Sequence, residues 1–348
     1  MGFSDTLGRT WEDNILFTVL LELTYRCNLN CSFCYNDTAL KGVPLETGQY
    51  RTLFQDLARM GTMNLVFSGG EPLAHPEFFT LGRHARDLGF VVRVKSNGHA
   101  LGERIAKRLK RELDPFNVDI SLHGACAETH DQQTRVPGSF ERLMRNLQIL
   151  RNLEIRVVLN CTLTRWNEDE IEAMQVIADG LGVTLNFNTE VSIRDNGDTS
   201  PLAISPTPEG LRRVFFFQAA RTSERNDGQR TAVDPPDTPA RACGAASSSV
   251  TIDPFGTVYP CVKWRHPLGN LHQNSISQIW AGGGEVQRVR TWSAAARNML
   301  GREGPAAANS GFCPGHAATA HGSPVVFYTT AKYQKEFIEE LAASPTTR

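Results

Sequence analysis

Between Leu16 and Phe187 the chain alternates six times between a short apolar run and a stretch with helical spacing. The runs include Leu16-Phe17-Thr18-Val19-Leu20-Leu21-Glu22-Leu23, Asn64-Leu65-Val66-Phe67, Phe90-Val91-Val92-Arg93-Val94, Asn117-Val118-Asp119-Ile120-Ser121-Leu122 and Val183-Thr184-Leu185-Asn186-Phe187. A fifth strand is expected over 154–161. Helical stretches separate the runs, which predicts parallel strands joined by crossover helices. In the first helix, Tyr50, Leu53, Phe54, Leu57 and Met60 share one face, with Thr47 as the expected cap and Gly61 as the stop. Asn167 with Glu170 reads as a capping box. The alternation alone does not separate an open sheet from a barrel.

Directly after the first run comes Cys27-Asn28-Leu29-Asn30-Cys31-Ser32-Phe33-Cys34. Thiolates favour zinc, copper(I) or iron–sulfur clusters, and this spacing lets one loop wrap one metal centre. Three cysteines leave one metal position for something else; a zinc knuckle with a fourth ligand from elsewhere is the alternative. Three further marks follow in order: Ser68-Gly69-Gly70-Glu71-Pro72, Lys95-Ser96-Asn97-Gly98 and Ser121-Leu122-His123-Gly124. With these the chain resembles the radical S-adenosylmethionine (SAM) enzymes, whose signature is C-x3-C-x2-C with an aromatic residue, here Phe33, before the last cysteine.

The resemblance implies an α/β fold built on a partial (βα)6 TIM-like barrel, with its active site at the C-terminal ends of the strands. Each quoted motif falls just after a run. The resemblance also implies that Cys27, Cys31 and Cys34 hold a [4Fe–4S] cluster whose fourth iron chelates SAM. Reductive cleavage would then give methionine and a 5′-deoxyadenosyl radical that removes a hydrogen atom from substrate. Gly69, Gly70 and Glu71 would bind the methionyl amino group, with Glu71 as acceptor. Asn97 and Ser121 would contact the ribose and carboxylate region, and Phe33 the adenine side. A one-electron donor such as flavodoxin or ferredoxin is expected.

Residues 1–15 are expected to be irregular surface, 16–210 the barrel, 211–240 a linker and 241–348 a smaller auxiliary domain. Asp234-Pro235-Pro236-Asp237-Thr238-Pro239 cannot continue a helix or a central strand. Beyond it, Cys243 and Cys261 flank two short strands, Val250-Thr251-Ile252 and Thr257-Val258-Tyr259, joined by Asp253-Pro254-Phe255-Gly256 as a hairpin. This half resembles the SPASM and twitch domains, whose opening element is C-x(9–15)-G-x4-C; Cys313-Pro314-Gly315-His316 follows. A complete SPASM domain has seven cysteines. Here only Cys243, Cys261 and Cys313 remain, so one auxiliary [4Fe–4S] cluster is expected, with His316 as a candidate fourth ligand.

The sequence holds eight cysteines, and no basic n-region precedes an apolar h-region, so a cytoplasmic protein with metal-ligating thiols is expected. A net charge of −1 gives no electrostatic case for nucleic acid or an anionic membrane. No run approaches 18 apolar residues, so no membrane span is expected. Glu190, with Asn186 and Asn188 at the end of the sixth run, is a candidate proton acceptor or amine ligand. Cys126, between His123 and His130, is a second catalytic candidate.

The auxiliary domain's resemblance favours a ribosomally made peptide as substrate. The segment before the first strand is short for a fused recognition domain, so a leader peptide is expected to need either a separate peptide-recognition protein or direct docking. A small-molecule oxidoreductase or decarboxylase of natural-product biosynthesis is the second reading. A non-catalytic cluster protein is the third.

Overall fold

The computed structural model describes residues 3–226 and 242–343. Six parallel strands alternate with helices: β1 (Thr18–Glu22), β2 (Asn64–Ser68), β3 (Val91–Ser96), β4 (Asn117–Ser121), β5 (Val157–Thr162) and β6 (Thr184–Asn188). The helices of this half are α1 (Phe3–Glu12), α2 (Thr47–Arg59), α3 (Phe78–Asp87), α4 (Glu103–Glu112), α5 (Ala127–Thr134), α6 (Ser139–Asn152), α7 (Ile171–Leu181) and α8 (Pro208–Asn226). Beyond them lie β7 (Ser249–Ile252), β8 (Thr257–Tyr259), β9 (Gly269–Asn270), α9 (Ile276–Gly282), α10 (Gly284–Arg302), α11 (Pro305–Ala308), α12 (Pro314–His321) and α13 (Thr329–Ala343).

The described residues form one sheet in the order β6-β5-β4-β3-β2-β1-β7-β8-β9. Strands β1 to β6 pair in parallel with their sequence neighbours, and β1 and β6 are not paired with each other, so the barrel is incomplete as expected. Alternation along each strand divides the side chains between two faces. Val19, Leu21, Val92, Val94, Val118 and Ile120 are buried in the main core, where Phe54, Leu57, Phe67, Leu81 and Leu109 also lie. Burial of each such side chain stabilises the fold by about 1.5–3 kcal/mol relative to exposure. Glu22, Arg93, Lys95, Asp119 and Asn160 occupy alternate positions on the other face, together with Leu20, Val66 and Val158.

The C-terminal hairpin does not stand apart from the barrel. β7 pairs in parallel with β1 over Thr18↔Ser249 to Leu21↔Ile252, and β8 and β9 continue the sheet antiparallel. The expected turn is present: Gly256 has φ +80°, and Asp253 Oδ1 accepts from the Phe255 and Thr257 amides at 2.9 and 2.8 Å. A β-strand added along the free side of β1 buries an edge that would otherwise be an open template.

Local readings differ from the structure in four places. The N-terminal segment, expected as irregular, contains α1. Thr47 does not cap α2; Glu46 does, in a reciprocal capping box with Gln49. Asn167 and Glu170 do not cap α7. Their side chains accept instead from the amides of Thr164 (2.8 Å) and Ala125 (2.6 Å), pinning two loops at the barrel rim. α8 runs through the boundary expected at 210–211, where Arg213 pairs with Asp169 and Glu172. The proline-rich break at Asp234–Pro239 lies outside the described residues.

If the hairpin shares one core with the barrel, removing Ile252, which is 1% exposed, must loosen β1. Ile252→Ala is expected to cost about 2–5 kcal/mol and to speed hydrogen exchange at Val19 and Leu21 as much as at Thr251. Unchanged protection in β1 would show two independent units.

Candidate active site

Because β1 to β4 are parallel, the segments that follow them share one rim. There the cysteine loop, Gly69 and Gly70, Ser96 and Asn97, and Ser121 and His123 line a cavity of about 440 Å3. Cys27, Cys31, Cys34 and Phe33 all contribute to its wall. The loop is tied down by its backbone: the Cys34 amide donates to Cys31, Asn30 to Thr134 and Ser32 to Gln133. Cys27 Sγ accepts from the Leu29 amide at 3.4 Å and from Asn97 Nδ2 at 3.7 Å. Burial pushes all three thiols up, and at Cys31 the neighbouring Cys34 and Cys27 add to it. Three thiolates in so small a space need a cation between them.

Gly69 has φ +129°, and a Cβ there would stand 2.3 Å from the Thr24 carbonyl oxygen. A Cβ on Gly70 would lie 2.6 Å from the Arg26 carbonyl oxygen. The end of β2 therefore runs against the very segment that leads into the cysteine loop, joined to it by Gly70 N–H to Thr24 O at 2.7 Å and Glu71 N–H to Arg26 O at 2.9 Å.

Glu71 itself is turned away from the cavity. Its carboxylate accepts from the Leu73 amide (3.2 Å), Ser96 Oγ (3.0 Å) and the Asn97 amide (2.9 Å), and it does not line the wall. Burial pushes this carboxyl up to about 7 against those hydrogen bonds. In this structure it fastens the end of β2 to the end of β3 rather than offering an acceptor. Asn97 and Ser121 do reach the cavity, and Asn97 Nδ2 also bonds Asn28 Oδ1 at 2.8 Å.

His123 lines the wall with its ring 4.5 Å from that of Phe33. Its Nδ1 accepts from the Thr162 amide at 3.2 Å, which assigns the proton of a neutral ring to Nε2. Burial pushes the ring down to about 3, so it stays neutral. Cys126 is not brought to the cavity. It is exposed at the N-terminus of α5, with its thiol 3.6 Å from Thr129 and Glu170 side chains. Cys161, not singled out from the sequence, does line the wall, with Asn167 Nδ2 at 3.4 Å from its sulfur.

Sequence reasoning also missed Arg135. It sits at the end of α5 with φ +56°, and its Nε donates to Ser32 Oγ at 3.0 Å, so its charge favours the Cys31 thiolate. A non-glycine residue held left-handed is costly and stands out only once the backbone is seen.

Asn188, Glu190, Arg194 and Lys263 line the same cavity. Glu190 pairs with Lys263 Nζ at 2.7 Å and accepts from the Tyr328 hydroxyl. Burial opposes its ionisation, but Lys263, His316 and the Tyr328 hydroxyl together hold the carboxyl below the usual range. Tyr328 Oη in turn accepts from the Cys313 amide at 3.1 Å. Cys243, Cys261 and Cys313 form the second cysteine group: burial pushes Cys243 up to about 11 and Cys261 to about 12, and each also feels Cys313. The His316 amide donates to Cys313 Sγ at 3.3 Å, and the His316 ring packs 4.8 Å from Tyr328.

Both cysteine groups fit iron–sulfur clusters in their donor chemistry: soft sulfurs, half-buried apart from the exposed Cys27, supplied three at a time with amide donors on them.

Gly69→Ala is expected to fold less stably and to retain less iron at the rim after reconstitution, measured by iron content and thermal denaturation. Gly89→Ala, also at positive φ but with open space around it, should lose only about 1 kcal/mol and keep its iron.

Sequence and structure comparisons agree with this geometry. A family model described as the radical SAM superfamily matches residues 21–176, and the SPASM iron–sulfur cluster-binding domain matches residues 243–302. An AdoMet-dependent heme synthase of Methanosarcina barkeri is 26% identical over 292 residues, covering 77% of this chain and 83% of that protein. A PqqA peptide cyclase of Xanthomonas euvesicatoria is 30% identical over 286 residues, covering 78% and 76%. The crystal structure of Streptococcus suis SuiB bound to S-adenosylmethionine superposes with a TM-score of 0.64 at 14% identity, over 83% of this chain and 72% of that one. The chain belongs to the radical SAM superfamily, an enzyme family that uses SAM and a [4Fe–4S] cluster, and it carries a C-terminal SPASM domain for auxiliary iron–sulfur binding.

Proposed function

We propose that this enzyme modifies a ribosomally synthesised peptide by forming a cross-link or thioether or by epimerising a residue. One observation carries the reading: one cavity is lined both by the first cysteine group and by Lys263 and Glu190, the start of a Lys263–Glu190–Tyr328 chain that leads to Cys313. Of these reactions, cross-link and thioether formation are net two-electron oxidations and use such an arrangement. One hydrogen atom is removed by the radical, and the second leaves as an electron to the auxiliary cluster and a proton to a base. Epimerisation returns a hydrogen atom and needs no electron acceptor. The name of the Xanthomonas relative, a peptide cyclase, supports it.

In this reading Cys27, Cys31 and Cys34 hold the SAM-binding cluster, and Cys243, Cys261 and Cys313 hold one auxiliary [4Fe–4S] cluster, with His316 as its candidate fourth ligand. When bound, the first cluster and SAM together supply the 5′-deoxyadenosyl radical that removes a hydrogen atom from substrate. The protein's part is to bind, orient and exclude water. Gly69 and Gly70 present backbone to the methionyl amine, Asn97 and Ser121 offer hydrogen bonds to the ribose and carboxylate region, and Phe33 packs along the adenine side. Glu190, ionised at neutral pH, takes a substrate proton or holds a substrate amine. Residues 16–210 and 241–348 are the corresponding catalytic and auxiliary regions. A one-electron carrier such as flavodoxin or ferredoxin and a separate peptide-recognition protein complete the system.

The second reading is a small-molecule oxidoreductase or decarboxylase, favoured by the name of the heme synthase relative. Among the described residues no helix is long and apolar enough to cross a membrane, and we propose a cytoplasmic enzyme.

Anaerobic reconstitution should give about eight irons in the wild type and about four in Cys243→Ala; about four in both would remove the auxiliary cluster. With dithionite and SAM the wild type should release 5′-deoxyadenosine and Cys27→Ala none. A precursor peptide encoded beside the enzyme should lose two hydrogen atoms on cross-linking, read by mass spectrometry; loss of carbon dioxide from a small acid would favour the second reading. Glu190→Gln should slow product formation about a hundredfold while 5′-deoxyadenosine release continues. A product rate equal to wild type would deny Glu190 any part in the chemistry.

A further inference from the structure

The segment between β8 and β9 crosses the open side of the barrel. From it Lys263 reaches Glu190, just beyond β6, and Arg265 reaches back to β1. Arg265 Nη1 and Nη2 donate to the two oxygens of Glu22 at 2.9 and 2.8 Å, and its Nε donates to Asp195 Oδ1 at 2.9 Å. The Glu22 side chain is 0% exposed and that of Arg265 12%. The same carboxylate also accepts from Tyr35 at 3.2 Å and from Tyr25 at 3.1 Å, so two tyrosines and one arginine satisfy it. The guanidinium lies 5.6 Å from the centre of the Tyr35 ring and 5.1 Å from that of Tyr259.

Tyr35 follows Cys34 directly, and its carbonyl accepts from the Asp195 amide at 2.9 Å. Asp195 Oδ2 is buried with no partner among the described residues, so Arg265 is what holds that carboxylate. Four chain segments thus meet at one guanidinium: the end of β1, the exit of the first cysteine loop, the chain beyond β6, and the segment that starts at Cys261.

We propose that Arg265 is a positioning residue for the SAM-binding loop. It belongs to the C-terminal segment and lies four residues from Cys261, yet the group it holds in place is Tyr35, and through Tyr35 the thiol of Cys34. Order in the auxiliary segment is in this way felt at the SAM site. A planar fork is needed, because Glu22 is met by two parallel donors and Asp195 by a third. The inference rests on the ligand assignment proposed above.

The test uses full-length protein reconstituted without oxygen, as wild type, Arg265→Met, Arg265→Lys, Tyr35→Phe and Cys34→Ala. Iron content, the electron paramagnetic resonance spectrum of the reduced protein with and without SAM, and SAM affinity by equilibrium dialysis are measured on each. Cys34→Ala supplies the spectrum of the auxiliary cluster alone. Arg265→Met is expected to bind SAM at least about tenfold more weakly, to lose the spectral change that SAM produces, and to keep the auxiliary spectrum unaltered. Arg265→Lys should recover part of the SAM response, since it restores charge without the fork. Tyr35→Phe should weaken SAM binding in the same direction by a smaller factor, and it serves as the deciding variant should Arg265→Met fail to fold. Wild-type SAM affinity and response in Arg265→Met, or in Tyr35→Phe where that variant decides, overturns the proposal. So does loss of the auxiliary spectrum with the SAM response intact. If Cys34→Ala keeps a full complement of iron, the ligand assignment fails instead, which is a separate result.

Discussion

A carboxylate with no exposure, at the end of the first strand, organises the rim of this enzyme. Glu22 is met by two guanidinium nitrogens and two tyrosine hydroxyls. An isolated buried charge would cost several kcal/mol, and only full pairing makes it tolerable. Removing one partner of such a group typically costs about 3–5 kcal/mol, because the other charge is left behind. The arrangement therefore specifies position more than it adds stability. The stretch after β1 through Tyr25, the exit of the first cysteine loop through Tyr35 and the C-terminal segment through Arg265 each contribute donors to it.

The same economy recurs around the cavity. Glu71 fastens the end of β2 to the end of β3, Glu170 and Asn167 fasten loops beyond β4 and β5, and Glu190 fastens β6 to the C-terminal segment. Parallel strands all end at one rim, where their last carbonyl and amide groups lack ladder partners. Buried carboxylates and amides supply those partners. The rim is consequently pinned strand end to strand end, and His123 and Asn97 line the cavity it encloses.

The SPASM hairpin is joined to the barrel by a shared ladder rather than by a flexible tether. Pairing of β7 with β1 puts Cys243 and Cys261 on the flank of the strand that leads to Cys27. Tyr328 and Lys263 then carry contacts from that flank into the cavity wall. Two cysteine groups far apart in the chain are thereby related through one sheet, with a short polar chain leading from the second group to the cavity that the first group lines.

Much of this was legible in the residues themselves. The six alternations determined a parallel sheet, and parallel strands place their following loops on one side, so the three cysteines, the two glycines, Asn97 and Ser121 had to come together. The hairpin turn was legible because Asp253 and Gly256 meet a local requirement. What stayed hidden depends on separations in sequence that no pattern encodes. Glu71 carries the family's motif, yet its carboxylate is spent on the Ser96 hydroxyl and the Asn97 amide; Cys126 lies near the right strand but on the outside of its helix. Arg135 and Arg265 are ordinary arginines until the chain places one beside Ser32 and the other on Glu22, 243 positions away. Covalent spacing and hydrophobic period decide which groups share a rim. Which of them face the cavity, and which are consumed in holding it, is decided by burial, since only the tertiary structure determines where an unpaired charge would be too costly to leave.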